Sequence, residues 1–169
     1  RQDLSLLTHP NIPKPLHGIN PRTIKGQEWW DEVRQWAYRE NQYHCWACGI
    51  HKFQAKYRQW LEAHEYYDID YTSGEVTLNK IVALCHPCLQ LIHSERLSLR
   101  YYHCHIRYEQ IHDIYNHGFA LLRLAKLQPY WRTVMFDLRL HGKAKEEALD
   151  LVTKWGLVNE PEDVAPWQQ

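Results

Sequence analysis

The sequence predicts an α+β chain: a small strand–strand–helix core stapled by metal, with an arm and helix before it and a helical extension after it. Three observations carry this. Two C-x-x-C pairs, Cys45-Trp-Ala-Cys48 and Cys85-His-Pro-Cys88, lie 36 residues apart. Two aromatic and β-branched runs with turn residues between them fill most of that interval. On either side the apolar residues recur at helical spacing.

Taken in order, residues 1–42 are an arm and a helix. His9-Pro10, Ile12-Pro13, Lys14-Pro15, His17-Gly18 and Asn20-Pro21 break any regular element up to 26. Leu4, Leu6, Leu7, Ile12, Leu16 and Ile19 are the anchors by which that arm would lie on something else. Trp29, Trp30, Val33, Trp36 and Ala37 then predict a helix over 27–41, with acids in its first turns.

Residues 43–97 are the core. Residues 43–49 form the first knuckle. Residues 60–67 read as a strand, Tyr71-Thr-Ser-Gly74 as a turn, and 76–84 as the hairpin partner running into the second knuckle. Pro87 suits the first turn of a helix over 87–97.

Residues 98–169 are the extension. Ile111, Ile114, Gly118, Leu121, Leu122 and Ala125 share one face of a long helix over 102–127, with a kink expected at Gly118 and Pro129 beyond its end. Segment 130–140 fits either helix or strand, 143–155 reads as a last helix before Gly156, and the end is an acidic tail.

Hydrophobic residues at 44% and charged residues at 24% exclude a disordered chain. No apolar run approaches the ~18 residues of a membrane span, and Arg1 to Pro10 lacks the apolar block of a signal peptide. The expected location is the cytoplasm, with no membrane partner. Net charge is zero, from 20 basic and 20 acidic residues, which disfavours coating nucleic acid by charge alone. The distribution is uneven, however. Residues 91–145 carry nine basic and four acidic groups, and 146–169 carry one Lys and six acids.

Five cysteines without a secretory signal disfavour a disulfide framework. Two C-x-x-C knuckles suit tetrahedral zinc, because each turns two thiolates toward one point. Cys45, Cys48, Cys85 and Cys88 are therefore the expected structural zinc ligands, and Cys104 is expected to be a small buried residue. His105, Glu109 and His112 have ligand-like helical spacing but read better as a solvated face. Trp29, Trp36 and Trp60 are expected in the core, and His44, His51 and His86 beside the zinc ligands or at the surface.

Leu61-Glu62-Ala63-His64-Glu65 on the first strand and Cys85 to His93 on the helix resemble the zinc-ribbon branch of the HNH nuclease family, a ββα-metal fold. That pattern has two C-x-x-C knuckles, E-x-H-H on the first strand and a helix histidine five residues after the second knuckle. Pro15 to Arg22 and Trp29-Trp30 also resemble segments that precede this domain in bacterial and phage proteins.

The resemblance implies that His64 and His93 hold a catalytic divalent ion (Mg²⁺, Mn²⁺ or a transition ion) and that Glu62 supports it. Glu65 stands where the pattern has its second histidine, and is the expected general base. Asn79 lies one residue out of step with the family's asparagine. The function implied is hydrolysis of phosphodiester bonds in nucleic acid, DNA in particular, with Arg96, Arg100, Arg107 and Arg123 touching phosphates. The replaced histidine and the neutral charge point to an alternative: a catalytically degenerate, zinc-stabilised module that binds nucleic acid or a protein partner. A weaker third reading is a toxin or inhibitor acting on a protein through the aromatic arm.

Overall fold

A computed structural model describes residues 2–8, 20–70 and 75–127. The predicted turn at 71–74, most of the arm, and everything expected of 128–169 lie outside the described residues. Among them the elements are a 3-10 turn (Leu4–Thr8), α1 (Pro21–Lys25), α2 (Gln27–Glu40), a 3-10 turn (Lys52–Gln54), strands β1 (Leu61–Asp70) and β2 (Glu75–Cys85), α3 (His86–Ile92), α4 (Ser94–Tyr102) and α5 (Tyr108–Leu124). The two strands pair as a hairpin. Mixed helix and strand around a cysteine cluster is the α+β class the sequence predicts.

The described chain divides into two compact units. One holds residues 2–8, 38–64 and 83–127; the other holds 20–37, 65–70 and 75–82.

In the first unit the arm does lie on something. Leu6 and Leu7 are buried, and the Leu4–Thr8 turn packs on α3 and α5. The Asp3 N–H donates to the Trp46 carbonyl at 2.7 Å, and the Trp46 N–H donates to the Ala83 carbonyl at 2.9 Å. Arm, first knuckle and β2 are thereby laced together by backbone bonds. Every residue of this unit from Ala83 to Ile92 is buried, so the end of β2 and α3 form its spine.

Leu97, Ile106, Ile111 and Ile114 make a core cluster where α4 meets α5. Gly118 lets α5 close on α3: a Cβ there would lie 2.2 Å from Leu91 Cδ2 and 2.8 Å from its Cγ. The helix runs on through this residue, whose task is close approach. Leu91 is fully buried and has nowhere to turn. Gly118→Ala is therefore expected to destabilise the fold by roughly 1–3 kcal/mol of overpacking. Urea denaturation checks this, and Leu91→Ala should cost less in the Gly118→Ala background than alone.

In the second unit α1 is capped by Asn20, whose side chain accepts from the Thr23 N–H while Thr23 Oγ1 accepts from the Asn20 N–H. Val33 and Ala37 are the buried positions of α2. Trp29 and Trp36 are only half-buried.

Several expectations need correction. Trp60 is 52% exposed, because it lies just before β1 starts, outside the strand that would have buried it. The single helix expected over 87–97 is two, broken at His93, whose ψ is 44°. The helix expected from 102 is also broken. α4 ends in a 6→1 bond from the His105 N–H to the Arg100 carbonyl and a 5→2 bond from Cys104 to Tyr101. Cys104 takes the left-handed position between them, with φ 57°, and is exposed rather than buried. This is the helix-ending motif usually built on glycine. Lys126 does the same after α5, with φ 55°. Without a glycine at either place, the sequence carries no stop signal.

Candidate metal centre and the histidine pair beside it

The first knuckle is a tight hairpin. His44 and His51 form an antiparallel bridge, and the Cys45 N–H donates to Ile50 O at 2.8 Å. Gly49, with φ 78°, turns the chain so that its N–H reaches Cys45 O. The second knuckle is the strand-to-helix junction. Cys85 ends β2 in extended conformation, Pro87 fixes the first turn of α3, and Cys88 follows one turn along.

These two turns aim four sulfurs at one point. The Sγ atoms of Cys45, Cys48, Cys85 and Cys88 all lie within 4.8 Å of one another, with Cys48 and Cys85 at 3.6 Å. Four thiolates at about 2.3 Å from a zinc ion form a tetrahedron with edges of about 3.8 Å, so the donor set and its spacing fit zinc. All four are free thiols, as expected of a metal site rather than a disulfide pair.

Crowding makes their acidities diverge. Hydrogen bonds from Cys45, then Cys85 and Cys88, pull the Cys48 thiol well below its ordinary range. Proximity to Cys45 and Cys48 pushes Cys85 and Cys88 up. A second thiolate is thus opposed by the first, and a dication at the centre removes that opposition.

Sequence reading missed two supports of this cluster. His117 on α5 lies with Nε2 3.4 Å from Cys88 Sγ, and nothing in its spacing ties it to the knuckles 29 residues earlier. Trp46, between the first two ligands, is buried and carries the two backbone bonds described above. His44 and His51, expected near the ligands, meet edge to face with ring centroids 4.9 Å apart.

Beside the cluster, in the same unit, stands a second group. His64 on β1 is 5% exposed, and its ring meets that of His93 edge to face with centroids 5.0 Å apart. Centroids at this spacing and tilt make an ordinary edge-to-face ring contact inside this unit. Burial first, then the charge of Arg96, lowers His93 to about 4, against the opposing pull of Glu62. Its ring is neutral at pH 7, as a ligand must be.

Glu62 precedes His64 by two residues and shares its strand face. Its Oε1 lies 2.7 Å from Nδ1 of His86, and its Oε2 lies 3.4 Å from Arg58. Burial opposes its ionisation, but the His86 hydrogen bond and the charges of Arg58 and Arg96 hold the carboxyl below its usual range. His86, sandwiched between zinc ligands, is almost fully buried. Glu62 therefore bonds the second knuckle to the strand that carries His64.

The remaining expected residues are placed as follows. Arg96 is exposed on α4, and its charge is felt by both Glu62 and His93. Arg100 is half-buried and bonds Gln90 at 3.5 Å. Arg107 is exposed at the N-cap of α5, and Arg123 is exposed in its last turn. His105, Glu109 and His112 are exposed, as expected of a solvated face.

Glu65 follows His64 in an unbroken strand, and alternation turns it to the opposite face. In its own unit burial raises its carboxyl, with Arg22 lowering it; burial first, and then the charge of Glu65, raises Tyr67. Asn79 is exposed and donates to Asp68 at 2.7 Å.

No protein-family model, curated protein or solved structure matches this chain. Among the described residues, the four cysteines are the one set of three or more ligand-type groups gathered within ion-binding distance. No helix among them is long and apolar enough to cross a membrane.

Proposed function

We propose that this protein is a metal-dependent nuclease of HNH type, hydrolysing phosphodiester bonds of DNA at the His64–His93 pair, with zinc at the four cysteines as a structural staple. The observation that carries this is the pair itself. Two imidazoles, one buried and one held neutral, meet with ring centroids 5.0 Å apart, and a scaffold held by zinc alone needs neither.

A divalent ion held by the pair would polarise the phosphate and make a bound water more acidic. The chain's own groups do the rest. The Arg96 guanidinium, exposed beside Glu62 and His93, is placed to meet a phosphate oxygen. Glu62, fixed by His86 and Arg58, orients the attacking water on the face where His64 lies. The proposal thereby moves the water-handling role from Glu65 to Glu62, because alternation separates Glu65 from His64.

The second reading, a zinc-stabilised binding module without catalysis, draws on a different observation. Among the described residues no third ligand-type group joins the histidine pair as the cysteines join one another. Incubating zinc-loaded protein with supercoiled plasmid and, separately, with circular single-stranded DNA, with and without Mg²⁺, Mn²⁺ or Ni²⁺, separates the two. Cut product from either DNA with one of these ions supports the nuclease, and both DNAs intact with all of them leaves the binding module.

A further inference from the structure

We infer that the α4–α5 turn and the groove between these helices are a stacking platform for unpaired nucleic acid, so that the substrate is single-stranded. For the fate of the strand this rests on the nuclease reading; binding itself requires no cleavage.

The groove has a volume of about 1010 Å³, and its walls include Tyr101, Tyr108, His112, Tyr115, Asn116 and Phe119. Among the described residues that line it there is no carboxylate. Two of its rings are open to solvent: Tyr101 is 42% exposed and Tyr108 60%. Arg107, exposed at the N-cap of α5, directly precedes Tyr108 in the chain and brings a guanidinium to this end of the helix, with Glu109 following.

The rings are held in place before any ligand arrives. Tyr108 stacks on His112 with centroids 5.6 Å apart, and Tyr115 stacks on Phe119 at 5.5 Å, each pair one turn apart on α5. The Tyr115 hydroxyl is tied to Ser98 Oγ at 3.1 Å. Little rotamer freedom is left to lose on binding.

These features select one occupant. A duplex hides the faces of its bases, so a row of rings has nothing to offer it. An unpaired strand presents a π-face at every base and a phosphate at every step, which open rings beside guanidiniums match. An apolar protein helix would match neither the guanidiniums nor the tyrosine, histidine and asparagine polar groups. From Tyr108 to Phe119 the helix spans roughly 16 Å, the length of about five stacked nucleotides.

The test is fluorescence anisotropy with the full zinc-loaded chain and no added divalent ion, comparing an oligothymidylate with a duplex of equal length. The single strand is expected to bind more tightly. Tyr108→Ala should lower its affinity roughly 5- to 150-fold and leave duplex binding unchanged, while Tyr108→Trp should retain the affinity. Arg107→Ala should reduce the salt slope by about one counterion.

A duplex bound as tightly as the strand, an equal loss for both in Tyr108→Ala, or a Trp variant as weak as the Ala variant would each overturn the platform. So would absence of binding, which leaves the groove to a protein partner. A strand bound in this way but left intact when Mn²⁺ is added supports the platform and counts against the nuclease alone.

Discussion

Cys88→Ser is expected to yield a chain that neither retains zinc nor reaches its fold. The parent should carry one zinc per chain through gel filtration. The reason lies in where the ligands sit. Cys45, Cys85 and Cys88 are buried, at the ends of the segments that β2 and α3 must bring together. A serine at 88 leaves three thiols and a hydroxyl crowded within a few ångströms, with no ion to reconcile them.

Structural zinc supplies roughly 10–16 kcal/mol of apparent binding free energy in small modules. That rivals the ~5–15 kcal/mol by which whole domains are stable. His117→Ala should be milder, keeping the fold and weakening zinc affinity by roughly 10- to 100-fold, the usual cost of losing a group that supports a ligand. Elemental analysis and thiol titration are the measurements. In the native parent only exposed Cys104 should react promptly, with four more thiols appearing once zinc is withdrawn. Folded protein that contains disulfides and no zinc would end the assignment.

The staple was legible because C-x-x-C spacing dictates where two sulfurs point, whatever surrounds them. The hairpin was legible for a similar reason: its alternation and flanking turn residues are local. The failures are places where a local rule had no local sign. Cys104 and Lys126 take left-handed positions that glycine would have advertised. The break at His93 falls inside an apolar pattern that reads as continuous helix, and the ring it carries answers to His64 across the unit. His117 and the Glu62–His86 bond are tertiary facts, made when α5 and β1 pack on the second knuckle. Gly118 reads as a kink in a lone helix and shows its use only once Leu91 lies against it.

His93→Ala should abolish metal-dependent cleavage while leaving zinc content and fold intact. Its ring is one half of the imidazole pair. The informative comparison is between the two carboxylates that flank His64. Glu62→Gln keeps the shape but weakens the hold of His86 and Arg58 and the orientation of water, and should slow cleavage by roughly 10²-fold or more. Glu65→Gln should leave the rate close to the parent's, because its side chain lies across the strand from His64.

Glu65→Gln should instead raise stability at neutral pH. Its folded carboxyl is shifted upward by burial, so its favourable contribution is complete below the unfolded pKa of about 4.5 and is lost as pH rises through the folded value. The Gln variant removes that loss, and its denaturation midpoint should exceed the parent's at pH 7 but not at pH 4. A slow Glu65→Gln beside an unimpaired Glu62→Gln would reverse the assignment, returning the base to the position the family gives it. That result would also require β1 to bulge or open between residues 64 and 65 when metal and phosphate are bound.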